Sequence, residues 1–169
     1  MQDPNTVQLL SELEHLAGGT IENVRRLTRA LRPIYLEDLG LVTALEMLAR
    51  ETSRPDTLAV DFRCAGRERR LPRETELALY RIAQQALNNV LRHAGARRAG
   101  LEIAFADKEI RLEVTDDGMG FKVPQNLTDF APAGHFGLLG MRERADLIGA
   151  RLEVQSEPGR GARLSVHLP

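Results

Sequence analysis

The chain has 169 residues, 43% of them apolar and 28% charged, which suits a globular chain with one core-forming domain and an appendage but not two full-sized domains. Twenty-three basic against 24 acidic residues leave a formal charge of −1, so no global field holds nucleic acid or an anionic membrane. The single cysteine, Cys64, excludes an intrachain disulfide framework and a multi-cysteine metal site, and the absence of both a secretory pattern and a run of about 18 apolar residues gives a cytoplasmic expectation.

Leu10, Leu13, Ala17, Thr20, Val24, Leu27 and Leu31 alternate spacings of three and four, the seam of a coiled coil or helix bundle, and Pro33 ends it. Gly18 and Gly19 fall off the seam and weaken the helix by about 1 kcal/mol each without ending it. A stripe of this length needs a partner, for which a symmetric homodimer is the economical answer; packing back onto the chain's own domain is the alternative. After Gly40, the positions Leu41, Ala44, Leu45 and Leu48 predict a short helix. Leu58, Val60, Phe62 and Cys64 then alternate as one face of a strand that Gly66 ends.

Pro72 opens a second long helix to Ala94, with Leu79, Ala83, Ala86 and Val90 on its apolar side. Two alternating runs, Leu101/Ile103/Phe105 and Ile110/Leu112/Val114, form a hairpin around Asp107-Lys108. Residues 122–137 have no period and read as a long loop of the kind that forms lids. A helix from about Leu138 to Ile148 ends at Gly149, and strands over 152–155 and 164–168 flank the turn Glu157-Pro158-Gly159-Arg160-Gly161. The element order predicts an α+β fold: a two-layer sandwich in which helices cover one face of a mixed, largely antiparallel sheet, preceded by the long N-terminal helix.

Three stretches carry chemistry. At 100° per residue, Gln85, Asn89 and Arg92 share one face of the second helix, with Arg81, Asn88 and His93 on its flanks. Two adjacent mid-helix asparagines cost helix propensity that a merely solvated face does not require. An amide oxygen can ligate magnesium and the cations can meet phosphate, although an ordinary wet face fits the spacing equally well. Thr115-Asp116-Asp117-Gly118-Met119-Gly120-Phe121 ends a strand in carboxylates and glycines, a pattern that suits acceptance of an exocyclic amine and close approach of a flat ring, or a plain turn. Gly134 to Arg144 places spaced glycines before a helix, which is either an anion site or a flexible loop.

In combination these stretches resemble the ATP-binding catalytic domain of sensor histidine kinases, within the superfamily that includes gyrase B, Hsp90 and MutL. The run from Leu79 to Ala94 (LYRIAQQALNNVLRHA) is similar to the N box of the branch whose response-regulator partners carry helix-turn-helix DNA-binding output domains. Leu31-Arg32-Pro33 and Leu39-Gly40-Leu41 resemble the end of that branch's dimerisation helix and its junction to the catalytic domain. The resemblance implies residues 1–36 as a partial dimerisation helix and 37–169 as the catalytic domain. It further implies that Asn89 ligates magnesium bridging the ATP phosphates, that Arg92 and His93 sit at the phosphate or ribose end with Asn88 also contacting the nucleotide, and that Asp116 accepts the adenine amine beside Gly118 and Gly120. Gly137, Leu138, Leu139 and Gly140 would form the lid against the triphosphate, with Met141 near the base.

Two departures stand out against that pattern. Gln85 replaces a glutamate that would act as a base, a loss that typically lowers rates by ~10²–10⁴. Ala162 replaces a threonine whose hydroxyl would fix water beside Asp116. No histidine of the chain has phosphoacceptor context: His15 reads as an exposed structural residue, His135 sits in the loop and His167 on the last strand. The expectation is therefore a catalytic region that transfers the ATP γ-phosphate to a histidine outside this chain. A degenerate nucleotide-binding or interaction module is the alternative, and a relative such as an anti-sigma serine kinase a weaker one.

Overall fold

A computed structural model describes residues 34–123 and 136–169. The N-terminal seam and residues 124–135 of the loop, with His15 and His135, lie outside the described residues. The elements are α1 (Ile34–Leu39), α2 (Leu41–Thr52), β1 (Ala59–Gly66), α3 (Arg73–Asn89) continued by a single π turn (Val90–Ala94), β2 (Arg98–Phe105), β3 (Ile110–Asp116), α4 (Phe136–Leu147), β4 (Arg151–Ser156) and β5 (Ala162–Leu168).

The strands form one sheet in the order β1-β2-β3-β5-β4, with β1 and β2 parallel and every other pair antiparallel. A parallel pair needs a crossover of a dozen or more residues, and α3 supplies it. Strict alternation makes the sheet two-faced. Ala99, Leu101, Ile103, Phe105, Ile110, Leu112, Val114, Leu164 and Val166 are buried on the core face. The opposite face carries ion pairs such as Arg111–Glu102 at 3.2 Å. All three longer helices cover the apolar face, with α3 packed between α2 and α4. The two-layer α+β sandwich expected from the element order is the observed fold.

Local signals explain the boundaries. Gly40 sits at φ 84° and ψ 172°, a region open essentially to glycine alone, and so separates α1 from α2. Pro72 precedes α3, and Glu76 in its first turn accepts the Leu71 backbone N–H at 3.1 Å and pairs with Arg70 at 3.1 Å, which satisfies a carboxylate that is only 3% exposed. On α4, Leu138, Met141 and Ala145 fall on one face and enter the core, and Gly149 at φ 69° follows the helix as its left-handed cap.

One local expectation is corrected. The second long helix is not α-helical to Ala94, because its last turn is π. Cys64 keeps the face of β1 that it shares with Val60 and Phe62, in register with Ile103 of β2, but it is exposed, because β1 is an edge strand whose far end from Arg63 onward is exposed.

Candidate nucleotide site

A cleft of about 360 Å³ opens between α3, the first turn of α4 and the ends of β3 and β5. Its polar lining comprises Gln85, Asn89, His93, Asp116 and Arg163, and apolar side chains that include Ala86, Val90, Val114, Phe121, Leu138 and Leu164 make up most of the remainder. A flat apolar slot with a few fixed polar groups is the usual form of a small-molecule site.

The π turn decides which side chains reach the cleft. It closes its ring at i→i+5, so each residue advances by less than the 100° of an α-helix. Accumulated from Asn89, this under-rotation carries His93 onto the line of Gln85 and Asn89 and turns Arg92 away. His93 accordingly lines the cleft, whereas Arg92 is exposed outside it. Asn88, one residue from Asn89, is exposed on another side of α3. The turn ends at Gly95 in a left-handed conformation, φ 59°.

Asp116 closes one end of the cleft. Its carboxylate is half-buried and accepts the Gly118 backbone N–H at 2.8 Å and that of Ala162. Burial raises its pKa above the usual aspartate value, the two backbone donors pull the other way, and the neighbouring Asp117 charge adds to the rise. Ala162 lines the cleft and offers Asp116 a backbone N–H where the related pattern has a hydroxyl. Asp117 serves the sheet instead. Its Oδ1 accepts the backbone N–H groups of Arg97 and Arg98, each at 2.9 Å, which ties the start of β2 to the end of β3. These donors, led by Arg98, hold its pKa below the ordinary aspartate range.

The glycines act through close approach. Gly118 does not line the cleft; any side chain there would collide with the Ala94 carbonyl, which accepts the Met119 N–H at 2.8 Å. Gly120, at φ 58°, does line it and lies against the carbonyls of Glu157 and Gly161. Gly161, at φ 69°, lies against the Asp116 carbonyl. Sequence reasoning missed Ser156, whose hydroxyl ties Phe121 to Gly161. Only its place at the strand end beside the Pro-Gly turn pointed to it.

The other end of the cleft is built from carboxamides. Gln85 Nε2 donates to Asn89 Oδ1 at 3.2 Å. Gly137 faces this pair, and a Cβ on it would stand 2.8 Å from the Gln85 nitrogen, so glycine lets α4 approach α3 there. Gly137 and Leu138 line the cleft from within α4 rather than from a loop. Leu139 and Gly140, on the same helix, are half-buried and outside the lining. Met141 is fully buried in the core, because its spacing of three from Leu138 and four from Ala145 puts it on the inner face of α4.

The fold and cleft together define a two-layer α/β ligand-binding domain whose site lies at the edge between helices and sheet. Residues 74–169 match the family described as histidine kinase-, DNA gyrase B-, and HSP90-like ATPase, and the chain belongs to it. It is 34% identical over 167 residues to the sensor histidine kinase LiaS of Bacillus subtilis, covering 99% of this chain and 44% of LiaS. It is 36% identical over 163 residues to the signal transduction histidine-protein kinase/phosphatase UhpB of Salmonella typhimurium, covering 93% of this chain and 30% of UhpB. The chain thus spans less than half of either relative. The fold is also that of the histidine kinase domain of the blue-light-activated kinase EL346 of Erythrobacter litoralis, at TM-score 0.57 and 22% identity over 77% of this chain and 59% of that one.

Proposed function

We propose that the cleft binds ATP together with its magnesium, and that the chain is the ATP-binding catalytic region of a sensor histidine kinase. The observation that carries this reading is Asp116: a half-buried carboxylate, held by two backbone donors, at the closed end of an apolar slot. An ionised acceptor in that position suits adenine, whose exocyclic amine is a donor, and disfavours guanine, which presents a carbonyl oxygen there. The start of α4, which faces Gln85 and Asn89, then lies along the phosphates, with His93 between them and the base.

The donors fit magnesium carried by the nucleotide better than a resident ion. Magnesium keeps most of its waters and is usually held by one or two carboxylates plus substrate phosphates. Here the end near Gly137 offers the two carboxamides of Gln85 and Asn89, with Asn89 Oδ1 accepting from Gln85, and no group of three or more His, Cys, Asp or Glu among the described residues could hold a metal. When bound, the ion neutralises phosphate charge; Asn89 orients it, and Gln85 holds Asn89. Gln85, a neutral amide, can neither take a proton from a nucleophile nor carry charge toward it, so transfer by this chain is slow.

We further place the dimerisation segment at residues 1–36 and the catalytic domain at 37–169, with a homodimer formed through the former. The backbone break at Gly40 supports a division near this point. The γ-phosphoryl acceptor is a histidine on a dimerisation helix outside this chain, and the onward partner is a response regulator with a DNA-binding output domain. His167, on β5, contacts Glu109 at 2.9 Å and does not line the cleft. The same reading makes the region cytoplasmic; among the described residues no helix is long and apolar enough to cross a membrane.

The test supplies a histidine-bearing dimerisation helix and follows label from γ-labelled ATP in this chain and in Gln85→Glu. Label on the added histidine, faster in the variant, supports the kinase reading. Tight MgATP binding with no transfer in either protein contradicts it and leaves a nucleotide-binding module.

A further inference from the structure

We propose that Ser156 is a positioning residue for base recognition, acting through Asp116 without touching the ligand. The inference rests on the reading that the cleft holds ATP with its base at Asp116. Ser156 is the last residue of β4 and is half-buried outside the cleft lining. Its hydroxyl donates to the Gly161 carbonyl at 2.7 Å and accepts the Phe121 backbone N–H at 2.9 Å. One oxygen thereby bridges two segments, Gly118–Phe121 after β3 and the β4–β5 turn.

Each of those segments delivers one of the two backbone donors on Asp116. Gly118 N–H comes from the first, and Ala162 N–H, next to Gly161, from the second. The spacing between the segments therefore sets the spacing between the donors, and with it the direction in which the carboxylate points. A backbone bond from Gly159 N–H to the Met119 carbonyl, 2.6 Å, runs beside the hydroxyl bridge but reaches the tip of the turn rather than its Asp116 end. Gly120 and Gly161 bring the two backbones together with no side chain between them, so the contact is close enough for a single hydroxyl to span. Removing that hydroxyl cuts the link between the Phe121 N–H and the buried Gly161 carbonyl, and the spacing of the two segments is no longer held at that point.

Asp116 distinguishes a base amine from a base carbonyl only if its oxygen lies where the amine hydrogen falls, because hydrogen bonds weaken steeply away from linearity. A displaced carboxylate loses affinity for adenine and has no comparable bond to lose with guanine.

The experiment measures affinities of the whole chain for MgATP and MgGTP by calorimetry in the unaltered protein, Ser156→Ala, Ser156→Cys and Ser156→Thr. Ser156→Ala should lower the ATP-to-GTP affinity ratio by about tenfold, with the loss on the ATP side. Threonine keeps the hydroxyl and should restore the ratio. Cysteine, a weak donor and acceptor, should fall between, and it carries the test if the alanine variant does not fold. A folded alanine or cysteine variant with the original ratio, or with equal losses for both nucleotides, overturns the proposal. Absence of ATP binding in the unaltered chain instead overturns the nucleotide reading beneath it.

Discussion

The two ends of the cleft are built on different principles. At the Asp116 end the carboxylate is held by backbone donors, and the segments that carry them are pressed together at Gly118, Gly120 and Gly161, where no side chain fits. At the Gln85 end two neutral carboxamides on successive turns of one helix satisfy each other, and nothing but side-chain chemistry sets their state. Geometry is thus fixed by the fold at one end and by residue type at the other. Forcing apart the packed segments at the first should show as lost binding and stability together, whereas changes at the second should alter chemistry and leave the fold unmoved.

The largest effect is expected at the adaptable end. Gln85→Glu should raise the rate of phosphoryl transfer to a supplied acceptor by ~10²–10⁴, the usual worth of a general base, with little change in the thermal midpoint. An unchanged rate would show that residue type does not limit this end. At the fixed end, Gly161→Ala forces a side chain into the left-handed region and against the Asp116 carbonyl. It should cost at least ~1–3 kcal/mol in urea unfolding and abolish saturable ATP binding in the same protein. Asn89→Ala should remove the magnesium-dependent part of ATP affinity, on the order of 1 kcal/mol, and leave unfolding unaltered. Equal affinity with and without magnesium in the parent chain would contradict the role given to Asn89.

The smallest effect concerns the adjacent pair of carboxylates, whose pKa values shift in opposite directions. Asp117 has its pKa depressed by the backbone N–H groups of Arg98 and Arg97, so it stabilises the fold above the ordinary aspartate value of about 3.9 and loses that contribution as pH falls through its lower folded value. Asp117→Asn should therefore be less stable than the parent near neutrality, and the gap should close in acid. Asp116 has the reverse sign: its pKa is raised by burial, so its ionisation opposes folding and stability gained from it grows as pH falls through the raised value. Melting curves from pH 7 to pH 3 separate the two.

Much of this arrangement was legible in the sequence, for identifiable reasons. The alternation in β2 and β3 is strict because one sheet face is buried and the other is wet, and Leu41, Ala44, Leu45 and Leu48 keep helical spacing for the same cause. Asp116 and Gly120 stood out because their strand end occurs together with the asparagine-bearing helix and the glycine-spaced segment before α4; alone, the same residues read as a plain turn. The π turn was not legible: Val90–Ala94 continues the apolar pattern of α3, and a helical wheel drawn at 100° per residue selects Arg92 where the structure places His93. Asn88, adjacent to Asn89 and chemically identical, was likewise separable only once the helix was placed. Asp117 resembles a ligand-binding acid in sequence but serves β2, and Ser156 looks like a turn residue but joins two walls of the site. Both depend on contacts between distant segments, which periodicity does not report.

Asp116→Asn offers the sharpest separation of binding from folding, since removing an ionisation that opposes folding should leave the variant as stable as the parent at neutral pH. Calorimetric titration of MgATP into the two proteins tests the central claim that this carboxylate, fixed by the fold, recognises the base. The expected result is saturable binding at one site in the parent and at least tenfold weaker binding in the folded variant, as for loss of a charged hydrogen-bond acceptor. Equal affinity in the two proteins, or no saturable binding in the parent, would contradict the claim.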